Sequence, residues 1–379
     1  MGSYKKPKTT HNKPITNSRQ INLNSSKSLQ NWTLTWLQII SVKKSIFSIC
    51  LFCCCLSVFA QKAQHFHVLK SHAIAGDGGW DYLTVNPDSK QIYISHGNQV
   101  NIIKEANGDS VGVIKNTDGV HGIALVQNLN KGYISDGRAN KVTVFNLANN
   151  KTTTTIPVGT NPDYLFYDDF SKKIFVFNGK SNNATVIDPK TDKVIATISL
   201  SGKPEAGVSD GKGQVFVNIE DKNEVVVLDA NAFEVKNRYK IVQGKEPSGL
   251  AIDRVSNRLF IGCGGNKKMV IMDAADGKNM ANFTIGGCDG VVFDPIYKLA
   301  YASNHEGFIS VIREKDANNF EFVKNLPTEE GARTIAIDLK THHLFTPTAK
   351  TVKVAPTPQN SHPWPKPVVG TFHVLEVGE

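Results

Sequence analysis

Seven residues able to do chemistry recur at one register of the chain: Asp81, His121, Asp163, Glu205, Ser248, Asp289 and Arg333. They lie 40, 42, 42, 43, 41 and 44 positions apart, and each opens a six-residue segment such as Asp81–Asn86, Ser248–Asp253 or Arg333–Asp338. Carboxylates accept hydrogen bonds from amines and hydroxyls and bind hard divalent cations through oxygen. An arginine among them orients an anionic group. Brought to one axis, the four carboxylates would repel one another and their pKa values would rise unless a cation, Arg333 or His121 compensates. Such a ring suits a divalent cation or a cationic or polyhydroxylated small ligand. The same residues would also cap the starts of strands at a solvated rim.

Neighbouring positions widen the candidate site. His96 and His121 could meet Asp81 or Asp163 in a zinc-like set, although no tight ligand spacing such as His-x-x-x-His accompanies them. Trp80, directly before Asp81, offers a stacking surface or a buried anchor. Asp136, Asn178, Glu220, Asn304 and His305 end segments that should reach the same face. By contrast Asp168, Asp210, Asp253, Asp294 and Asp338 sit where turns are expected on the opposite face, and turn capping accounts for them. The His342 and His343 pair falls in such a turn and reads as a solvated hairpin. No Gly-x-Ser-x-Gly elbow, phosphate loop or hydrolase triad appears, so no catalytic residue is assigned.

The elements that must position these residues follow from the period. Units of about 40 to 45 residues, each holding four short strands, are the signature of a β-propeller. In the third unit, strands are expected near 164–167, 174–177, 184–187 and 194–199, with turn residues between them. The second strands repeat an apolar tetrad: Ile92–Ser95, Gly132–Ser135, Ile174–Phe177, Val215–Asn218, Leu259–Gly262 and Ala300–Ser303. The third strands end in Asp188, Asp229 and Asp273 after a β-branched or apolar run. The expected fold is therefore all-β, a seven-bladed propeller of four-stranded antiparallel blades over residues 65–379. The last unit lacks a fourth strand, and residues 66–74 form a strand without a blade. Pairing the two would close the ring and remove its exposed edges. A closed ring satisfies its own strands, so a monomer is expected. A proline-rich insertion, residues 355–367, interrupts the last unit on the face that holds the polar column, a place for a lid or a docking loop.

The formal charge of +9 sits in the leader. Residues 1–60 hold eight of the 43 basic residues and no acidic one, leaving 35 basic against 34 acidic in the remainder. Lys43 and Lys44 precede an apolar run from Ile46 to Ala60, with Val58 and Ala60 as the small residues before a cleavage site. That pattern is a secretory signal over residues 42–60. The run is shorter than the roughly 20 residues a membrane span needs. Residues 1–41 read as a disordered or wrongly assigned upstream segment. A periplasmic or secreted protein is expected, with no membrane span after cleavage. Of the six cysteines only Cys263 and Cys288 would remain, and an oxidising compartment would allow them one disulfide.

The recurring segments, apolar tetrads and aspartate-ended third strands together resemble the YVTN-repeat β-propellers, the YncE-like family of exported proteins, over residues 65–379. The resemblance implies the fold. As to activity, it admits single-stranded DNA binding, attributed to a family member, which the near-neutral domain and acidic rim oppose. The reading adopted is an exported binding module or scaffold holding a small ligand or a protein partner at the polar mouth of its axial channel. A divalent-metal-dependent hydrolase of lactonase type is the enzymatic alternative.

Overall fold

β-Branched and aromatic runs separated by Asn, Asp and Gly turns build strands that are apolar on both faces, which only a stack of sheets can bury. The computed structural model describes residues 65–357 and 365–379, and it forms seven four-stranded antiparallel sheets. In blade 3 the strands a to d run Pro162–Asp168, Lys173–Asn178, Asn183–Asp188 and Lys193–Ser199, hydrogen bonded in that order. The innermost strands of the other complete blades are Trp80–Asn86, Val120–Val126, Pro204–Ser209, Pro247–Asp253 and Cys288–Asp294.

Blade 7 is assembled from both ends of the described chain. Its inner strand is short, Ala336–Ile337, followed by Leu344–Thr348 and His373–Gly378. The outer strand is His67–Ala73, which pairs antiparallel with His373–Gly378 from His67 opposite Gly378 to Ala73 opposite His373. The insertion leaves between the second and third strands through a two-residue ladder, Thr351–Val352 against Lys366–Pro367. Its tip, with Trp364, lies outside the described residues, as do the leader and signal segments.

The core is a set of layers between blades. Phe175 and Phe177 of blade 3 pack against Val215, Val217 and Val226 of blade 4, and equivalent layers join each neighbouring pair. The tetrads supply this packing, with Ile92, Tyr93, Ile94, Phe216 and Phe260 fully buried. In blade 2 the tetrad opens with Gly132, because a Cβ there would lie 2.1 Å from Cζ of Phe145. Outer strands carry little of the core, and Thr152–Thr155 are exposed.

The far-face aspartates cap their turns as expected. Asp168 accepts from the backbone N–H of Ser171 at 2.8 Å, Asp253 from Val255 at 2.9 Å and Asp338 from Lys340 at 2.8 Å. The adjacent histidines differ from expectation: His342 bonds Asp294 at 2.6 Å and stacks on Tyr297, and His343 bonds Glu376 at 2.7 Å. They are half-buried parts of an interstrand polar network, not a solvated hairpin.

The two cysteines are free thiols, so the disulfide that an oxidising compartment would allow is not formed. Cys263 packs in the layer between blades 4 and 5, and Cys288 in the layer between blades 5 and 6. The blade-5 sheet separates those layers, so adjacency along the ring does not bring the sulfurs together.

Candidate functional site

A register shift recurs at the start of the innermost ladder in the six complete blades. It falls between Trp80 and Leu83, Val120 and Ile123, Pro162 and Leu165, Pro204 and Gly207, Pro247 and Leu250, and Cys288 and Gly290. Asp81, His121, Asp163, Glu205, Ser248 and Asp289 lie within those intervals. A bulge frees a residue from the ladder and re-aims its side chain, here toward the axis. Arg333 precedes the short inner strand of blade 7. All seven column residues line one cavity of about 460 Å³.

The backbone at this mouth is tied across blades. Thr334 donates to the carbonyl of Asp81 at 2.6 Å, Asn218 to that of Ser248 at 3.0 Å and Ser303 to that of Arg333 at 2.5 Å. Ser135 donates likewise to the carbonyl of Asp163. Each tie fixes a rim residue to its neighbouring blade, so the ring holds its side chains on a rigid frame.

The charges around the axis are unevenly matched. Arg333 pairs with Asp289, approaches Oδ1 of Asp81 at 3.4 Å and donates to the carbonyl of Trp80 at 2.8 Å. Ser248 donates to Asp289 at 2.6 Å. Burial alone would raise the Asp289 pKa, yet the Arg333 charge and the Ser248 hydrogen bond hold it below the usual carboxylate value. His121 Nδ1 lies 2.6 Å from Asp81 and 3.6 Å from Asp163. Burial opposes its protonation, but the Asp81 hydrogen bond and the two carboxylates push its pKa up to about 9.

On the opposite side compensation is weaker. Burial, with the charges of Asp81 and Asp289, raises Asp163 to about 6 against the attraction of His121. Glu205 is raised well above its ordinary value, by burial first and then by Asp163, although Lys203 lies 2.7 Å away. Lys203 is shared, because it also pairs with Glu220. The Asp163 and Glu205 arc is where an added positive charge or hydroxyl donor gains most.

Other sequence candidates separate. His96 is buried, bonds Asn101 at 3.3 Å and stacks on Phe372 with ring centroids 4.1 Å apart. It packs between blades 1 and 7 and does not line the mouth, so a metal set pairing it with His121 does not form. Asp136, Asn178 and Asn304 likewise turn into their sheets, bonding Thr143, Thr185 and Ser310. Trp80 donates to the Gly331 carbonyl at 3.3 Å and stacks on Phe372 at 5.7 Å. It lines a second cavity beside the mouth. Asp81, His121 and Asp163 could offer a cation one atom each within 4.8 Å of one another, but His121 and Arg333 already engage those carboxylates.

Two features escaped sequence reading. Lys203 and Glu246 stand two places before the column residues, where the other blades carry Gly79, Gly119, Asn161, Gly287 and Gly331. That break in a column of small residues was the available signal, and both line the mouth. One place after the column, Gly122, Ala206, Gly249 and Gly290 are small because inner strands crowd the axis, and a Cβ on Gly249 would lie 2.7 Å from the Val291 nitrogen. Tyr82 and Tyr164 break this second column and meet edge to face at 5.0 Å. Tyr82 borders both the mouth and an axial cavity of about 380 Å³ below it.

No family model matches the chain. It is 27% identical over 159 residues to the uncharacterized protein YncE of Salmonella typhimurium and 26% identical over 159 residues to that of Salmonella typhi. Each match covers 40% of this chain and 44% of the relative, so the matched stretch spans under half of the relatives' length. Among solved structures, that of U3-55K superposes with a TM-score of 0.67 at 10% identity, covering 84% of this chain and 99% of that one. The WD40 repeats of RRP9 give 0.67 at 9% identity, covering 82% and 97%. Those two likenesses concern the fold alone. With seven four-stranded blades, the chain is a seven-bladed β-propeller that is similar over part of its length to the YncE proteins of Salmonella.

Proposed function

We propose that the axial mouth holds a small ligand bearing an ammonium group or a set of hydroxyls, in an exported propeller that acts as a binding module. The observation that carries this reading is the Asp163 and Glu205 arc, where a half-buried and a buried carboxylate face a cavity of about 460 Å³, Glu205 sharing Lys203 with Glu220 and Asp163 sharing His121 with Asp81. A ligand cation or hydroxyl donor there relieves the desolvation and repulsion these groups bear. The cavity size falls in the range of small-molecule sites. Arg333 is committed to Asp289, Asp81 and a backbone carbonyl, which favours a cationic over an anionic ligand.

The hydrolase reading draws on the Asp81, His121 and Asp163 set. A divalent ion there would compete with His121 and Arg333 for the same oxygens, which favours the binding module. Thermal shift of the purified protein with putrescine, glucosamine, glucose, calcium and magnesium distinguishes the two. Amines or sugars are expected to raise the melting temperature of the wild type and to leave Asp163→Asn and Glu205→Gln unshifted. A shift with calcium alone, accompanied by lactone turnover, would transfer the site to the hydrolase reading. No shift with any probe would overturn the site altogether.

A further inference from the structure

Beside the mouth, a cavity of about 240 Å³ is lined by the apolar surfaces of Trp80, Pro365 and Pro367 together with the polar residues Glu330 and Thr351. It shares Arg333 and His305 with the mouth, so the two compartments have a common wall. Trp80 is held there by its stack on Phe372 and its bond to Gly331, and the base of the proline-rich insertion supplies the prolines. The insertion thus adds an aromatic and proline slot next to an acidic mouth.

We infer that the two compartments form one site for a glycan bearing a free amine, one sugar ring against Trp80 and the prolines and the ammonium toward Asp163 and Glu205. The inference rests on the mouth being a ligand site. A sugar ring presents an apolar C–H face, which suits an aromatic or proline surface, and an edge of hydroxyls, which suits Glu330 and Thr351. A wholly apolar ring would strip water from Glu330 and Thr351 and return no hydrogen bond. At about 240 Å³ the slot has room for one sugar ring. A linked second residue then reaches past Arg333 into the mouth, where the unevenly matched carboxylates select an ammonium over an amide or hydroxyl.

The test uses the full chain with Trp32, Trp36 and Trp364 replaced by Phe, which leaves Trp80 as its only indole. The probes are the β-1,4-linked glucosamine dimer, its N-acetylated counterpart and cellobiose, followed by Trp80 fluorescence and calorimetry. The glucosamine dimer should change the Trp80 emission saturably and bind about tenfold or more tightly than either comparison sugar. Trp80→Leu and Glu330→Gln should each weaken it about tenfold, and Glu205→Gln should erase the preference for the free amine. If Trp80→Leu fails to fold, Glu330→Gln and Thr351→Val decide the matter.

Binding that depends on Glu205 with a silent Trp80 and unaffected slot variants would overturn the shared site while leaving the mouth reading intact. Putrescine binding through Glu205 with no response to any sugar would do the same. Sugar binding at Trp80 indifferent to Glu205 would also overturn it, since the ligand would then occupy the slot alone. Absence of binding by every amine and sugar would remove both readings.

Discussion

At the scale of single residues, the mouth trades stability for the capacity to bind. The folded state raises the Glu205 pKa through burial and Asp163, so it holds the Glu205 proton more tightly than the unfolded chain does. Stability is therefore lost as pH rises from the unfolded value of about 4.3. Glu205→Gln should melt higher than wild type at pH 7, with the advantage shrinking toward zero by pH 4, measured by calorimetry across that range. Lys203 keeps Glu220 as its partner in the variant. His121 also loses stability as pH rises, but there the loss is of a favourable ion pair. Its pKa, raised to about 9, contributes stability that is complete below about 6.5 and disappears as pH rises through the folded value, on the order of 2 kcal/mol. A melting-temperature profile from pH 6 to 10 should fall for the wild type and be flatter for His121→Gln.

At the scale of elements, the joint between His67–Ala73 and His373–Gly378 carries the closure of the ring. Deleting residues 65–74 would expose the ladder of the His373–Gly378 strand and strip cover from Phe345 and Val377, both fully buried. The melting temperature is expected to fall by roughly 10 °C or more, and an unchanged value would contradict this closure. The layers between blades make a second prediction. Cys263 and Cys288 are buried, and burial pushes the Cys263 thiol up to about 12 and the Cys288 thiol well above its ordinary value. Mass spectrometry after alkylation should find both peptides unmodified in the native protein and modified in guanidinium chloride.

At the scale of the whole molecule, the charge balance predicts no measurable affinity for single-stranded nucleic acid. Beyond residue 60 the basic and acidic residues balance at 35 and 34, and the carboxylates collect at the axis. Fluorescence anisotropy with a single-stranded oligonucleotide at about 0.15 M salt should stay flat. No helix of the described residues is long and apolar enough to cross a membrane.

The repeat count, the blade boundaries and the polar column were legible in the sequence, because each depends on local alternation and on a period that seven units restate. The capping role of Asp168, Asp253 and Asp338 was legible for the same reason, since a turn aspartate bonds residues two or three places ahead. What only the tertiary structure decided are relations between units. His96 packs against Asn101 and Phe372 while His121 faces the axis, although each stands at a strand end and the two connections are hydrogen bonded to each other. Cys263 and Cys288 lie on opposite sides of one sheet, although both lie at the same rim. Lys203 shares its charge between Glu205 and Glu220, and Trp80 meets the base of an insertion more than 250 positions away. Strand periodicity encodes which residues alternate and where turns fall. The direction of a side chain at a bulge, and the blade it meets across the ring, are set by the packing of the closed structure.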